Sequence, residues 1–323
     1  MVILEVCVDF QPSILPSNTT PLGALPARFR RTRILVVGCG DVGMRLLATA
    51  SRNARWLALT SSPERVEDLR AAGALPLRGN LDQNATLARL AGLAQRVVHL
   101  APPPSTGRAD PRTTNLARAL ARRSLPERWV YASTSGVYGD CGGDWVSETR
   151  PVRPQTDRAL RRVDAEATLR WWGRQKLGAS RVSVLRVPGI YAPDREGGTP
   201  RERLQRGTPV LNTEEDVYTN HIHADDLARA CWVALWRAQP QRVYNISDDS
   251  VLKMGDYYDL AADLYGLSRP PRISRLQAQT LIAPMTLSFM SESRRLTHDR
   301  MKRELKLRLH HPHVIDGLRG AAG

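Results

Sequence analysis

The run Gly38-Cys39-Gly40-Asp41-Val42-Gly43 spaces three glycines as G-x-G-x-x-G. It directly follows the apolar stretch Ile34-Leu35-Val36-Val37 and opens a helical pattern from Val42 to Arg52. A strand that turns through glycines into a helix suits phosphate chemistry. Gly38 permits the tight turn, Gly40 lets a pyrophosphate approach the backbone, and Gly43 lets the helix pack on the strand. The helix N-terminus, with Asp41 and Val42 in its first turn, adds N–H donors and the positive dipole end. The expected ligand is a dinucleotide. A glycine-rich turn that binds nothing is the plainer alternative.

Cofactor choice should be set near the end of the next strand, where a carboxylate would bind a ribose 2′-hydroxyl. Thr60, Ser61 and Ser62 stand there, with Glu64 the first acid and Arg65 beside it. Hydroxyls and a guanidinium suit a 2′-phosphate, so NADP(H) is favoured and NAD(H) is the alternative. Asn80, Leu81 and Asp82 follow the third strand and are expected beside the adenine. Asp82 can instead cap the next helix.

The elements that must position these residues alternate. Strands are expected at Ile34–Val37, Trp56–Thr60, Leu75–Leu77, Arg96–Leu100, Trp129–Ser133 and Val182–Val187. Helices are expected at Val42–Arg52, Pro63–Ala72, Thr113–Arg123 and Gln155–Leu177. Repeated strand–helix units imply parallel pairing with right-handed crossovers. The fold class is therefore α/β: a doubly wound parallel sheet of the NAD(P)-binding Rossmann type, with a smaller C-terminal α/β lobe. Residues 1–32, rich in proline, read as an unstructured extension with an apolar start at Val2–Phe10. Residues 33–187 form the expected core and 188–323 the expected lobe, with strand 242–246 returning to the core sheet. In the lobe, Asp194–Pro200 reads as a loop and Tyr218–Ile222 as a short strand. Asp225–Arg237, Gly255–Tyr265 and Thr297–Leu305 read as helices.

Composition narrows the function. The 323 residues are 42% hydrophobic and 24% charged, an ordinary globular balance. The net charge of +15 invites a nucleic-acid partner. Against that, only Lys176, Lys253, Lys302 and Lys306 are lysines among 47 basic residues, and the arginines are scattered without aromatic interleaving. An anionic small molecule suits the charge equally well. Cys7, Cys39, Cys141 and Cys231 lack any C-x-x-C pairing, so neither a metal site nor a disulfide framework is expected, and a reducing cytoplasm is the default. No apolar run is long enough to span a membrane, and the N-terminus does not read as a signal peptide.

Further segments carry a resemblance. His99-Leu100-Ala101 ends strand four, and Ser133-Thr134-Ser135-Gly136-Val137-Tyr138-Gly139 ends strand five. Arg186-Val187-Pro188-Gly189-Ile190-Tyr191 ends strand six, and His221-Ile222-His223-Ala224-Asp225-Asp226-Leu227 opens a later helix. Together with the glycine turn, these resemble the extended short-chain dehydrogenase/reductases, the NAD(P)-dependent epimerase/dehydratase superfamily, from about Arg33 to the C-terminus. The resemblance implies a cofactor bound along Gly38, Gly40, Leu100, Ala101 and Pro188. It also implies a Ser/Thr after strand five, here Thr134, and a Tyr-x-x-x-Lys on the next helix.

That pair is missing. The Tyr position falls on Arg158 and the Lys position on Arg162, and no tyrosine lies between Tyr138 and Tyr191. A guanidinium stays protonated and cannot take a proton from an alcohol. Arg158 is expected to steady an oxyanion or clamp a phosphate, and Arg162 to hold ribose or phosphate. Both could equally be solvated helix-face charges. The chain thus resembles an atypical branch of the superfamily. Ser135, Tyr191 and Arg294 are the candidate substrate contacts, whereas the hydroxyl of Tyr138 and the His221–His223 pair read as structural. Ser135-Gly136 stands where sugar dehydratases carry Asp-Glu, which argues against dehydration. The leading expectation is an NAD(P)-dependent oxidoreductase or epimerase acting on a sugar nucleotide or another small anionic carbonyl or hydroxyl compound. The second is a non-catalytic dinucleotide-binding sensor or scaffold. A homodimer through the helices after strands four and five is the expected assembly, although Ala159–Arg170 is arginine-rich.

Overall fold

The computed structural model describes residues 31–49, 54–175 and 180–320. The expected extension and its apolar start lie outside them, apart from Arg31 and Thr32. So do the last residues expected for the first and fourth long helices.

Seven strands form one sheet: β1 (Thr32–Val37), β2 (Ala54–Thr60), β3 (Leu75–Arg78), β4 (Arg96–His99), β5 (Arg128–Thr134), β6 (Arg181–Val187) and β7 (Arg242–Asn245). Their order is β3-β2-β1-β4-β5-β6-β7, and every neighbouring pair is parallel. This is a Rossmann-type sheet. The order reverses direction between β1 and β4, the switch point at which such sheets open a crevice.

The sheet is covered on both faces, which is why β1 reads as a continuous apolar run. Ile34 and Val36 point to one face, toward α1 (Asp41–Thr49), α2 (Val66–Ala71) and α5 (Ala224–Arg237). Leu35 and Val37 point to the other, toward α3 (Pro111–Leu120) and α4 (Asp157–Arg174). A single-residue register slip in β1 would exchange these two sets.

Several helix ends differ from expectation for local reasons. The Asp110 side chain accepts from Thr113 N at 3.2 Å, and Pro111 occupies the first turn, so α3 starts earlier than the expected Thr113. Pro63–Arg65 is a 3₁₀ turn that precedes α2. Thr156 caps α4 by accepting from Ala159 N at 3.2 Å.

After β6 the chain builds small pairings. Gly189–Tyr191 pairs in parallel with His221–His223, and Tyr218–Thr219 pairs with Leu252–Lys253 before α6 (Met254–Tyr265). The single strand expected over Tyr218–Ile222 is therefore two. Asn220 interrupts it, and its side chain bonds Leu296 N and Arg294 O. The helix expected over Thr297–Leu305 starts two residues late, at 299, and its Met301–Leu305 part is π-wound. Arg295–Leu296 instead pairs with Trp145–Val146, and Thr297 N extends that ladder to Val146 O at 3.0 Å. Among the described residues, Cys39, Cys141 and Cys231 form no disulfide, and no helix is long and apolar enough to cross a membrane.

Candidate functional site

At the β1–β4 switch point lies a crevice of about 480 Å³. Gly38 sits at φ +82°, and a Cβ there would fall 2.3 Å from Ala101 N. The position therefore admits only glycine. A Cβ on Gly40 would meet nothing within 4 Å, which leaves its backbone open to the crevice. One on Gly43 would press the Cys39 sulfur at 3.0 Å and approach Val36 at 3.5 Å, the contact between helix and strand. Each glycine thus has its own geometric reason.

Thr60, Ser61, Ser62 and Arg65 form one wall of the crevice, with Asn80, Leu81, Asp82, Leu100 and Ala101 around it. Thr60 Oγ1 accepts from Ser62 N at 3.1 Å, and Arg65 Nη2 donates to Cys39 O at 3.2 Å. Asn115 Nδ2 donates to Leu81 O at 2.9 Å. Asp82 does not cap a helix. Arg112 grips its carboxylate with Nε at 2.8 Å and Nη2 at 2.7 Å, and this hydrogen bonding holds Asp82 below the usual carboxylate range.

Pro102 lines this crevice and also a second cleft of about 500 Å³ at the carboxyl ends of β5 and β6. Thr134, Ser135, Arg158, Arg162, Pro188 and Arg294 all line that cleft. Thr134 Oγ1 accepts from Gly136 N at 3.2 Å, which fixes the turn. Burial first, then the neighbouring Arg162, Arg294 and Arg161 charges, lower the pKa of Arg158, while Glu292 opposes the shift. Arg162 Nη1 donates to Ala132 O at 2.8 Å and to Tyr131 OH at 3.1 Å. Arg161 Nη1 donates to Gly107 O at 2.6 Å, and Arg203 Nη1 to Tyr258 OH at 2.9 Å. Arg294 Nη1 bonds both Gly139 O and Glu292 Oε2, each at 2.8 Å. Five arginines thus line the cleft against one carboxylate, Glu292. Such a cleft favours an anion through positive potential in a partly desolvated space.

The NAD dependent epimerase/dehydratase family matches residues 34–247. The chain belongs to that family. Among solved structures it resembles a functionally unknown conserved protein from Silicibacter pomeroyi, at 29% identity and TM-score 0.73, covering 90% of this chain and 98% of that one. A UDP-glucose 4-epimerase from Thermotoga maritima, solved with UDP-glucose, shares 18% identity and TM-score 0.74, covering 90% and 97%. A UDP-glucuronic acid 4-epimerase from Bacillus cereus, in complex with NAD, shares 17% identity and TM-score 0.70, covering 89% and 96%. At those identities the two epimerases show the fold alone. A search of curated proteins finds no match to this chain.

In this epimerase/dehydratase-family protein, some residues singled out from the sequence stand apart from the clefts. The Asp41 carboxylate is taken by Arg45 Nε at 3.0 Å and Arg195 Nη1 at 2.6 Å. Val42 packs into the core beneath α1. Only the backbone amides of these two can serve a phosphate. Tyr191 does not line the substrate cleft. It is 2% exposed, donates to His313 O at 3.5 Å, and would be struck by a Cβ on Gly317. Parallel pairing of Gly189–Tyr191 with His221–His223 turns it into the interior.

Of the groups read as structural, Tyr138 and His223 are held within the fold, whereas His221 reaches the cleft wall. Tyr138 OH donates to Asn245 Oδ1 at 2.7 Å. His223 Nδ1 accepts from Asp225 N at 3.2 Å and caps α5. His223, Asp225 and His311 bring potential metal ligands within 4.8 Å, but Asp225 is already held by Arg45 at 2.6 Å. His221 lines the cleft, and burial pushes its pKa down to about 4, so it is neutral there.

Sequence reasoning missed Glu292, Arg203, Tyr257 and Tyr258, all in the cleft wall. Glu292 stands two residues before Arg294, which the sequence did single out. The other three offer no local signal, because their relation to Thr134 exists only in the folded chain.

Proposed function

We propose that the protein is an NADP(H)-binding oxidoreductase or epimerase acting on a small anionic carbonyl or hydroxyl compound, with sugar nucleotides the nearest class. The observation that carries this reading is that the two clefts are neighbours with Pro102 in the wall of both. A dinucleotide laid from the glycine turn past Pro102 would point its nicotinamide end toward Thr134. The crevice fits the cofactor: Gly40 leaves open space for a pyrophosphate, and Gly38 presses the turn onto Ala101. Leu100 and Ala101 would flank the phosphates, Asn80 and Leu81 the adenine, and Pro188 the nicotinamide side. Thr60, Ser61 and Arg65 would meet a 2′-phosphate. A bound nicotinamide supplies hydride transfer. Thr134 and Ser135 would contact the reacting oxygen, Arg158 would steady negative charge on it, and Arg294 would hold an anionic group of the substrate.

The test is fluorescence titration with NADPH and NADH, with Gly40→Asp as control. Tight NADPH binding that the substitution abolishes supports the reading. No binding of either dinucleotide sinks it.

The commitment of Arg162 to Ala132 O and Tyr131 OH favours a second reading, a non-catalytic dinucleotide-binding module. The double variant Arg158→Tyr with Arg162→Lys separates the two. Gained turnover on sugar nucleotides points to an enzyme site. Unchanged cofactor affinity without turnover points to the module.

We also propose the division at residue 188 into core and lobe, and a homodimer through α3 and α4. On that face Trp171 is 58% exposed, beside Thr114, Arg118 and Trp172. Light scattering of wild type and Trp171→Glu tests the dimer, which should dissociate in the variant.

A further inference from the structure

We propose that Glu292 is the proton carrier of the cleft and that Arg158 holds the oxygen from which the proton leaves. The proposal rests on the reading of this cleft as a hydride-transfer site.

Among the described residues, Glu292 is the single carboxylate lining the cleft, with a side chain 9% exposed. Its Oε2 lies 3.9 Å from where a Cβ on Gly136 would stand, above the turn that ends β5. Its charge also acts on Arg158, opposing the shift that burial imposes. Base and oxyanion holder are therefore neighbours at the place where Thr134 and Ser135 present their hydroxyls.

The surrounding backbone fixes this carboxylate. Ser293 N donates to Asp140 Oδ1 at 2.8 Å, and Cys141 N and Gly143 N both donate to Ser293 O at 3.0 Å. Ser293 Oγ accepts from Tyr218 N at 3.0 Å, and Arg294 clamps Glu292 itself at 2.8 Å. A group held through the residues that follow it in this way is preorganised, which proton transfer requires.

Other proton carriers in the cleft are less suited. His221 is neutral and largely buried, its ring tilted against Tyr257 with centroids 4.3 Å apart. Burial pushes the Tyr257 hydroxyl far above its ordinary value. Arg294 on its own segment pairs with Glu292 at 2.8 Å, the Arg158 charge on α4 couples to it, and Arg161, Arg162 and Arg203 complete the cationic lining. The β5 turn contributes only neutral Thr134, Ser135 and Gly136.

In the oxidising direction, the substrate carbon gives up its hydrogen with both bonding electrons to the nicotinamide dinucleotide, which is the oxidant. The hydroxyl proton passes to Glu292, and the C–O single bond becomes C=O. In the reverse direction Glu292 returns the proton. Arg158 keeps its charge throughout and compensates the oxygen as the proton moves.

The experiment compares wild type, Glu292→Gln and Glu292→Asp, with UDP-glucose as probe. NADPH affinity is read by fluorescence, dinucleotide reduction by absorbance, and proton uptake on probe binding by calorimetry in buffers of different ionisation enthalpy. Glu292→Gln should keep NADPH affinity within about twofold and lower reduction about 100- to 1,000-fold, in the range of general acid–base contributions. It should also abolish the acidic limb of the rate–pH profile. In the NADPH complex, wild type should take up protons as the probe binds, giving the acid form that the reverse step needs; Glu292→Gln should not. Glu292→Asp should restore the limb. The proposal is overturned if Glu292→Gln retains rate and limb. Wild type that binds NADPH but shows neither reduction nor Glu292-dependent proton uptake overturns it as well, with the cofactor reading intact. Wild type that binds no dinucleotide overturns both.

Discussion

Arg65 Nη2 reaches across from the loop after β2 and donates to the backbone carbonyl of Cys39 at 3.2 Å, inside the glycine turn. One guanidinium thus stands between the turn that would carry the pyrophosphate and the Thr60–Ser62 wall that would carry the ribose. Arg65→Ala should weaken NADPH binding about 10-fold or more and leave NADH nearly unchanged, since a charge-assisted bond contributes about 1.5–3 kcal/mol. Isothermal titration with both dinucleotides checks it. An equal loss for both would assign Arg65 to the turn rather than to the 2′-phosphate.

Gly38 and Gly40 should separate folding from binding. Gly38→Ala combines a left-handed backbone with a Cβ 2.3 Å from Ala101 N. The handedness alone costs about 1–2 kcal/mol, and the clash adds to it. Gly40→Ala points its methyl into open space. Thermal unfolding should show a clear drop in Tm for the first and little change for the second. Both should lose NADPH affinity.

Behind the cleft, Arg186 and Glu166 form a two-pronged ion pair at 3.1 and 2.7 Å, with side chains 4% and 5% exposed. Ser133 Oγ donates to the same carboxylate at 2.6 Å. Arg186→Met leaves Glu166 buried without its counter-charge and should cost about 3–5 kcal/mol in urea unfolding. The double variant Arg186→Met with Glu166→Met should recover much of that loss. If it is as unstable as the single variant, the pair contributes packing rather than charge compensation.

Stability should fall on acidification before most carboxylates titrate. Burial depresses His99 to about 3 and His221 to about 4, from an ordinary 6.5. Above 6.5 both are neutral, folded or unfolded, and their contribution is fully present. Below it the unfolded chain binds protons that the folded chain refuses, so stability declines until the folded values are reached. Each histidine should give a slope of about 1.4 kcal/mol per pH unit over that window. Urea unfolding of wild type and His221→Phe between these limits checks it: the variant should show the shallower slope.

The core was readable because its signals are local. Ile34–Val37 is apolar throughout, since both faces of β1 are covered, and the glycines follow at once. Thr134 and Arg158 were found by their distance from such landmarks. Glu292, Arg203 and Tyr257 were not, because their place in the cleft wall depends on pairings between distant segments. The same pairings explain the shortened helix near Thr297: the residues before it belong to a ladder with Trp145–Val146 that no periodicity announces. Tyr191 failed differently. Its position at the end of β6 suggested the sheet's open edge, but a parallel partner at His221–His223 turned its ring inward.

The bond from Ser293 N to Asp140 Oδ1 joins residues 153 positions apart. On the ribosome this makes the two clefts unequal in age. All the strands around the glycine turn have emerged when β6 is made, whereas the wall carrying Glu292 and Arg294 waits for the last tenth of the chain. A nascent chain arrested before residue 290 would own its dinucleotide crevice yet lack a closed reaction chamber. The glycine-turn crevice is therefore assembled before the second cleft is walled, and a ligand bound there at that stage would support the fold as its final wall arrives.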